Sequence, residues 1–316
     1  MANVLVPSNL DALFISFSKL FSDAYMQQPD SIVDKIATRV PSNTRDQRYP
    51  FMQTITGAMR QWTGERQINN VAVDGFVVTN VKWEDTLAIE RTDIEDDQYG
   101  IYSSMLIPNL ARNAKLLPDQ EVAKIFNTNP TCFDGRALFA SNHYKDPQAK
   151  TGSQSNSLTG KPLNATNLAV AQAAMMNFVG PDNIPFGSYG STLFVPPSLA
   201  YVAQTLANAA FFPEGKNGVA GTFASQTNIF QGSLTVVVSP YLTDSADPTT
   251  AVWYLLDNSS SMKAAFWQER EAPQLVQLVD PASPTVFFQD RYYMGVRARG
   301  AAAAGLWFKA IRVSGA

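Results

Sequence analysis

Thr92-Asp93-Ile94-Glu95 opens the run whose reading decides the fold. A Thr followed three positions later by Glu is a capping box, in which the hydroxyl oxygen and the carboxylate satisfy amide groups left unpaired at a helix start. Asp93, Asp96 and Asp97 add negative charge where the helix dipole is positive. The pattern predicts a helix from here to about Phe126, the longest in the chain. Pro108 and Pro118 fall inside it. Each removes a backbone donor and crowds the preceding turn, so bends or breaks are expected at both.

Working upstream, Phe76–Ile89 and Tyr49–Ile55 are strand-like runs. Between them lie Gly64, Asn69, Asn70 and the turn pair Asp74-Gly75, a strong hairpin signal. The connection is too long for a tight turn and predicts a projecting two-stranded loop. Such a ribbon is marginal alone in water, so its stability should come from lying on another molecule. Further upstream, Leu10, Leu13, Phe14, Phe17, Leu20, Phe21 and Ala24 have the spacing of an amphipathic helix, with Ser8 or Asn9 as N-cap. That bulky stripe must pack on its own domain or on a neighbouring subunit. Gln27 to Arg48 is polar, holds Pro29 and Pro41, and reads as an extended arm.

Downstream, Asn127–Pro162 is rich in loop residues. A helix over about Thr166–Phe178 follows, then strand Thr192–Val195, helix Ser198–Ala210, a Gly-rich loop near Glu214–Gly221, and strands Leu234–Ser239 and Ala251–Leu256. The end reads as strands: Ala264–Glu269, Gln274–Val279, Thr285–Gln289, Tyr292–Arg299 and Leu306–Val313. Ala301–Gly305 reads as a small-residue crossover between two bodies.

Composition narrows the function. The 316 residues are ample for a large core. The charged fraction is 16%, low against about 25% in typical globular proteins, which fits a surface that meets other subunits. A net charge of −3 without a basic block argues against sequence-specific DNA recognition. One cysteine, Cys132, excludes an intrachain disulfide, and one histidine, His143, excludes multi-histidine metal sites. The N-terminus lacks a signal-peptide pattern and no apolar run approaches a membrane span, so a product of the cytoplasm without a membrane is expected.

Three constellations look chemical. Ser260-Ser261-Met262-Lys263 has Ser-x-x-Lys spacing, but it precedes a strand and not a helical turn. Asp93, Glu95, Asp96 and Asp97 could ligate a hard cation, yet lack the glycine and terminal glutamate of a calcium loop and are better read as helix capping. Cys132, Asp134 and His143 are close enough in sequence to share one loop, with Asp134-Gly135 as its turn. No cofactor motif is present. Arg60, Trp62, Glu65 and Arg66 on the projecting loop are instead the residue types that anchor protein interfaces.

The ordered set of motifs then resembles a known family. Gln61-Trp62-Thr63-Gly64-Glu65-Arg66-Gln67-Ile68-Asn69-Asn70, Glu84-Asp85-Thr86, Arg91 to Asp97, Asp134-Gly135 with Leu138-Phe139 and Asn142-His143, Gln289-Asp290-Arg291, and Gly295-Val296-Arg297-Ala298-Arg299-Gly300 are similar to the major head subunits of Mu-like phages. The resemblance covers about residue 45 to the end. It implies the HK97-like capsid fold, an α+β architecture. In that scheme residues 1–48 form an N-terminal arm and 49–90 the E-loop hairpin. Residues 91–182 form the first part of the P-domain, with its spine helix. Residues 183–261 form the A-domain, 262–300 the P-domain return strands, and 301–316 the final A-domain strand.

The function implied is that of a major capsid protein, a shell subunit and not an enzyme. It would form hexamers and pentamers around double-stranded DNA, assembled in a bacterial host's cytoplasm and found in the virion. Its partners would be copies of itself, a separate scaffold protein, a portal and decoration proteins, with non-specific contact to packaged DNA. Contacts are expected through Arg60, Trp62, Glu65 and Arg66 on the E-loop and through Leu13, Phe14, Phe17 and Phe21 on the arm. No lysine lies between Gly57 and Thr79, so a covalent crosslink from the E-loop tip is not expected. The alternatives are an encapsulin-type compartment shell with protein cargo and a hydrolase built on Ser260 and Lys263 or on His143.

Overall fold

The computed structural model describes residues 7–50, 76–96, 100–147, 149–181, 183–213, 225–280 and 282–316. The chain begins with α1 (Pro7–Gln27), α2 (Val33–Ile36), β1 (Thr38–Pro41), β2 (Asp46–Tyr49), β3 (Phe76–Thr79), β4 (Val81–Glu90) and α3 (Arg91–Glu95). The long α4 (Ile107–Thr128), β5 (Ser157–Leu158) and α5 (Ala165–Met176) come next. They are followed by β6 (Thr192–Val195), α6 (Ala200–Asn208), β7 (Phe211–Pro213), β8 (Ser225–Thr227), β9 (Thr235–Val238) and β10 (Val252–Leu256). The chain closes with β11 (Ala265–Leu278), α7 (Pro284–Gln289), β12 (Arg291–Ala304) and β13 (Ala310–Ser314).

Two sheets organise these elements. One has the order β1-β11-β12-β4, the other β5-β13-β10-β6-β9. The strands β11 and β12 form a long antiparallel ribbon with α7 in the connection at its far end. The C-terminal end of α4 reaches the second sheet, where Phe126 meets Phe194 and Tyr254 edge-on at 5.1 Å each. A large core continues from there through Trp253, Trp307, Phe266 and Ile36. A smaller core lies further out along the ribbon, between α1, the first half of α4 and β12.

Several expectations are corrected by tertiary context. The Thr92–Glu95 capping box does not start the spine: α3 has Glu90 as its N-cap with no side-chain cap, and ends at Glu95. Pairing of β4 with β12 runs to Glu90↔Arg291, so the end of the sheet sets where this helix can begin. The spine starts later, as a π-helical turn Tyr102–Leu106 leading into α4. Pro108 sits in the first turn of α4. It cannot donate to the Ser104 carbonyl, a loss that costs least in a first turn, and it follows directly on the π-helical turn. Pro118 does not break the helix, which runs on to Thr128. Burial of Leu110, Ala111, Ala114, Val122, Ala123 and Phe126 around it offsets one lost hydrogen bond.

The polar stretch expected to be an extended arm is folded into the body. Val33 and Ile36 are fully buried in the large core, and β1 pairs in parallel with β11. Within α1, Ser8 and Asn9 are helical positions and not caps. The run Phe76–Ile89 divides at Asn80 into β3, paired with β2, and β4. Ala264–Glu269 and Gln274–Val279 merge into β11, with register shifts around Glu271, where Pro273 can only sit at an irregularity. Thr285–Gln289 is helical, opening on Pro284 and closing on Asp290 in the left-handed region. Ala301–Ala304 continues β12, so the crossover is Gly305 and the turn after it. A Cβ on Gly305 would lie 2.3 Å from the Lys263 carbonyl oxygen, which explains the glycine.

Candidate assembly surfaces

Arg60, Trp62, Glu65 and Arg66 lie outside the described residues. The root of their loop is described. Strands β2 and β3 pair antiparallel from Asp46↔Thr79 to Tyr49↔Phe76, so the chain leaves and re-enters the body side by side. Tyr49 is buried, edge-on to Phe266 at 5.0 Å, and its hydroxyl donates to Gln268 Oε1 at 2.6 Å. Burial pushes that hydroxyl up to about 12, keeping it a donor. Asn80 donates to Ser42 Oγ and the Thr44 carbonyl at 2.9 and 2.8 Å. The loop thus springs from a fixed base.

The arm expectation is redirected. Phe14, Phe17 and Phe21 are buried within this chain, against Ile107, Leu110, Tyr292 and Met294. Phe14 meets Tyr292 edge-on at 5.5 Å. The side chain of Leu13 lies outside the described residues. The aromatic stripe covers part of the ribbon sheet that α4 leaves open, since an apolar sheet face must be covered. Each such ring contributes about 2 kcal/mol by burial. What α1 turns outward is a different set, including Ile15 and Met26.

The chemical-looking residues sit apart or out of reach. The Ser260 hydroxyl donates to the Met262 carbonyl at 2.6 Å, while Lys263 Nζ donates to the Asp34 carbonyl at 2.6 Å. Desolvation lowers the Lys263 pKa, partly opposed by Asp34, but the amine faces a carbonyl and not a hydroxyl nucleophile. His143 is fully buried, with Nδ1 2.6 Å from Asp134 Oδ2 and Nε2 3.2 Å from the Leu138 carbonyl. Its ring stacks on Trp307 at 4.3 Å. The Cys132 thiol donates to the Gly305 carbonyl at 3.0 Å, and burial pushes its pKa far up. All three side chains are buried. They fasten the 130–156 loop to the turn before β13.

Three features were not legible from sequence motifs. Asp119, mid-spine and buried, accepts from the Ser31 hydroxyl and, at 3.2 Å, from the Val33 amide, joining α2 to α4. Asp257 and Lys309 form a buried ion pair at 2.7 Å. Burial alone would raise Asp257, but hydrogen bonds from Lys309 and Ser259 hold its carboxyl below the ordinary value. At the ribbon's end, Phe287 and Phe288 on α7 are 74% and 83% exposed. Only their shared Phe-Phe dipeptide could have flagged them, and it reads equally well as a buried strand.

Comparison with known proteins agrees with this architecture. The model of the family described as Mu-like prophage major head subunit gpT matches residues 10–162, 158–242 and 243–315. The chain is 28% identical, over its full length and 76% of the relative, to the Mu-like prophage FluMu major head subunit of Haemophilus influenzae. It is 24% identical over 99% of its length, and 75% of the relative, to the major capsid protein of Escherichia phage Mu. Among solved structures, the procapsid of bacteriophage JBD30 aligns with a TM-score of 0.56 and 26% identity, over 98% of this chain and 76% of that one. The kinship in sequence is with head subunits, against the compartment-shell and hydrolase alternatives. The chain belongs to the Mu-like prophage major head subunit family and has the HK97-like capsid fold.

Proposed function

We propose that copies of this chain build a closed icosahedral head from hexamers and pentamers around double-stranded DNA. The observation that supports this most is the family match along residues 10–315. In this reading residues 91–182 and 262–300 act as the peripheral P-domain, while 183–261 and 301–316 act as the axial A-domain. The chain acts through repeated contacts between copies and carries no catalysis of its own. The E-loop, rooted at β2 and β3, reaches across a neighbouring copy with Trp62 as an apolar anchor and Arg60, Glu65 and Arg66 as its polar rim. A separate scaffold, a portal and decoration proteins are the expected partners in the host cytoplasm, and packaged DNA meets the inner face without sequence preference.

Negative-stain microscopy of the purified chain, with and without its scaffold, tests the reading. Closed particles of uniform size are expected; their absence under both conditions overturns it. Replacing the four other tryptophans by Phe makes Trp62 the reporter of the E-loop contact. Its emission should shift to the blue on assembly, and an unchanged spectrum would rule that contact out.

A further inference from the structure

We infer that the buried His143 ring carries a proton on both nitrogens, and that this second proton latches the 130–156 loop to the turn between β12 and β13, a latch that alkali opens. The acceptors around the ring point to it. Nδ1 lies 2.6 Å from Asp134 Oδ2, and Nε2 lies 3.2 Å from the Leu138 carbonyl oxygen. A carbonyl and an ionised carboxylate can only accept. A neutral imidazole has one N–H, so one of its nitrogens would turn a lone pair towards an oxygen. An imidazolium donates to both. Asp134 is prepared for the ionised form, since its other oxygen accepts the Arg136 amide at 3.0 Å. Both side chains of the pair are 0% exposed. A carboxylate buried alone is costly, and a proton on the ring makes the pair neutral as a whole. Trp307 adds to this: its indole lies flat on the imidazole, 4.3 Å away and tilted by 4°, and the face of an indole attracts a cation.

The other charged and titratable groups nearby are directed elsewhere. From the same loop, the Cys132 thiol donates to the Gly305 carbonyl, Arg136 lies over the Tyr144 ring and Lys145 reaches Asn183. From the turn before β13, Lys309 pairs with Asp257. The segment after α5 brings Phe178, uncharged, edge-on to Trp307. Among the described residues Asp134 is thus the charged group that meets the ring. The proton has something to hold. The His143 backbone pairs with Gln154 in both directions, at 2.8 and 2.9 Å. Asn156, at the end of the loop, donates to the Trp307 and Ala310 carbonyls at 3.1 and 3.2 Å. Losing the proton removes one ring hydrogen bond and leaves Asp134 buried without its counter-charge, so the loop and the turn should part there first. The sign follows from proton counting. Below about pH 6.5 a histidine in the unfolded chain is protonated too, and the latch contributes in full. At higher pH the unfolded chain binds fewer protons than the folded one, so stability falls as pH rises, until the folded ring gives up its proton as well.

The test uses the full chain, and it stands apart from the shell reading because no readout involves assembly. His143 is the one histidine in the sequence and Cys132 the one cysteine, so each reports on this place alone. In the first arm, histidine labelled with nitrogen-15 in the ring is followed by NMR. At neutral pH both ring nitrogens should show protonated shifts, moving to the neutral form only in alkali. One protonated nitrogen at neutral pH would overturn the inference. In the second arm, wild type and His143→Gln are unfolded in urea from mildly acid to alkaline pH. Wild-type stability should fall along the series, and the variant should lose that fall; parallel profiles would overturn the inference. At neutral pH, Cys132 in the variant should react with a thiol reagent faster than in wild type, on the order of tenfold, the scale of one hydrogen bond to a charged group. Equal rates would mean that the ring does not hold the loop closed. If His143→Gln does not fold, the ring spectrum decides.

Discussion

The two sheets of this subunit handle burial in opposite ways. Strand β6 is buried at all four positions and β10 at four of five, so this sheet is covered on both faces and reads as continuous apolar sequence. Strand β4 instead alternates, with only Ile89 buried among ten residues, and β11 opens to solvent beyond Arg270. The β6–β10 sheet lies inside the large core, which also takes in the inner ends of β11 and β12. Beyond that core the β11–β12 sheet is a long ribbon covered on one face by α1 and α4, and its outer face carries Val276, Leu278 and the pairs Arg297–Glu271 and Arg291–Glu90. The contrast teaches that this chain concentrates its burial in one body and leaves the other a thin ribbon with one face open to water.

Breaking the large core should have the largest effect. Phe126 joins α4 to β6 and β10, and Phe126→Ala should cost about 4–5 kcal/mol from lost burial and the cavity left behind. Urea unfolding should give a much lower midpoint, and one near wild type would mean the two bodies do not share this core. Next comes the buried pair. Lys309→Met leaves Asp257 buried without its cation, at a cost of about 3–4 kcal/mol. The pH dependence has a definite sign. Because the folded carboxyl titrates below its ordinary value, its contribution is full at neutral pH and is lost as pH falls through that depressed value. In the variant, acid unfolding should set in at a higher pH. Identical acid profiles for the two proteins would refute this.

The ribbon should respond more locally. Phe17→Ala is expected to cost about 3 kcal/mol, at the low end for such a truncation because a small outer core can partly collapse. Hydrogen exchange should quicken in α1, the start of α4 and the start of β12 while β6 and β10 stay protected. Uniform quickening would erase the distinction between the two bodies. Least of all should Arg297→Ala matter: its own side chain is exposed, its partner Glu271 keeps Arg299, and such pairs are weak and screened by salt. The melting temperature at moderate salt should not move measurably.

The apolar stripe Phe14, Phe17 and Phe21, the strands Thr192–Val195 and Ala251–Leu256, and the spine through Phe126 were legible because their apolar pattern reports burial directly. So was the separation of the Ser260 hydroxyl from the Lys263 amine, since a Ser-x-x-Lys spacing outside a helical turn does not bring the two side chains together. The capping box at Thr92 misled because a local signal was overridden by the sheet register that ends β4 at Glu90. Thr285–Gln289 misled because two aromatic residues and a Val suit a strand, while Pro284 and the chain reversal between β11 and β12 favour a short helix.

Sequence by itself determined the family, the absence of an intrachain disulfide and the order of the elements from β6 to β10, since these depend on which residues are present and how they are spaced. The tertiary structure alone decided where the stripe of α1 is buried, that Pro118 leaves the spine intact, and that Asp257 meets Lys309 across 52 positions. It also decided that the Phe287–Phe288 pair faces water. Each of these depends on which distant surfaces compete for the same apolar side chain or the same hydrogen bond. That competition is settled by packing, and a pattern read along the chain does not contain it.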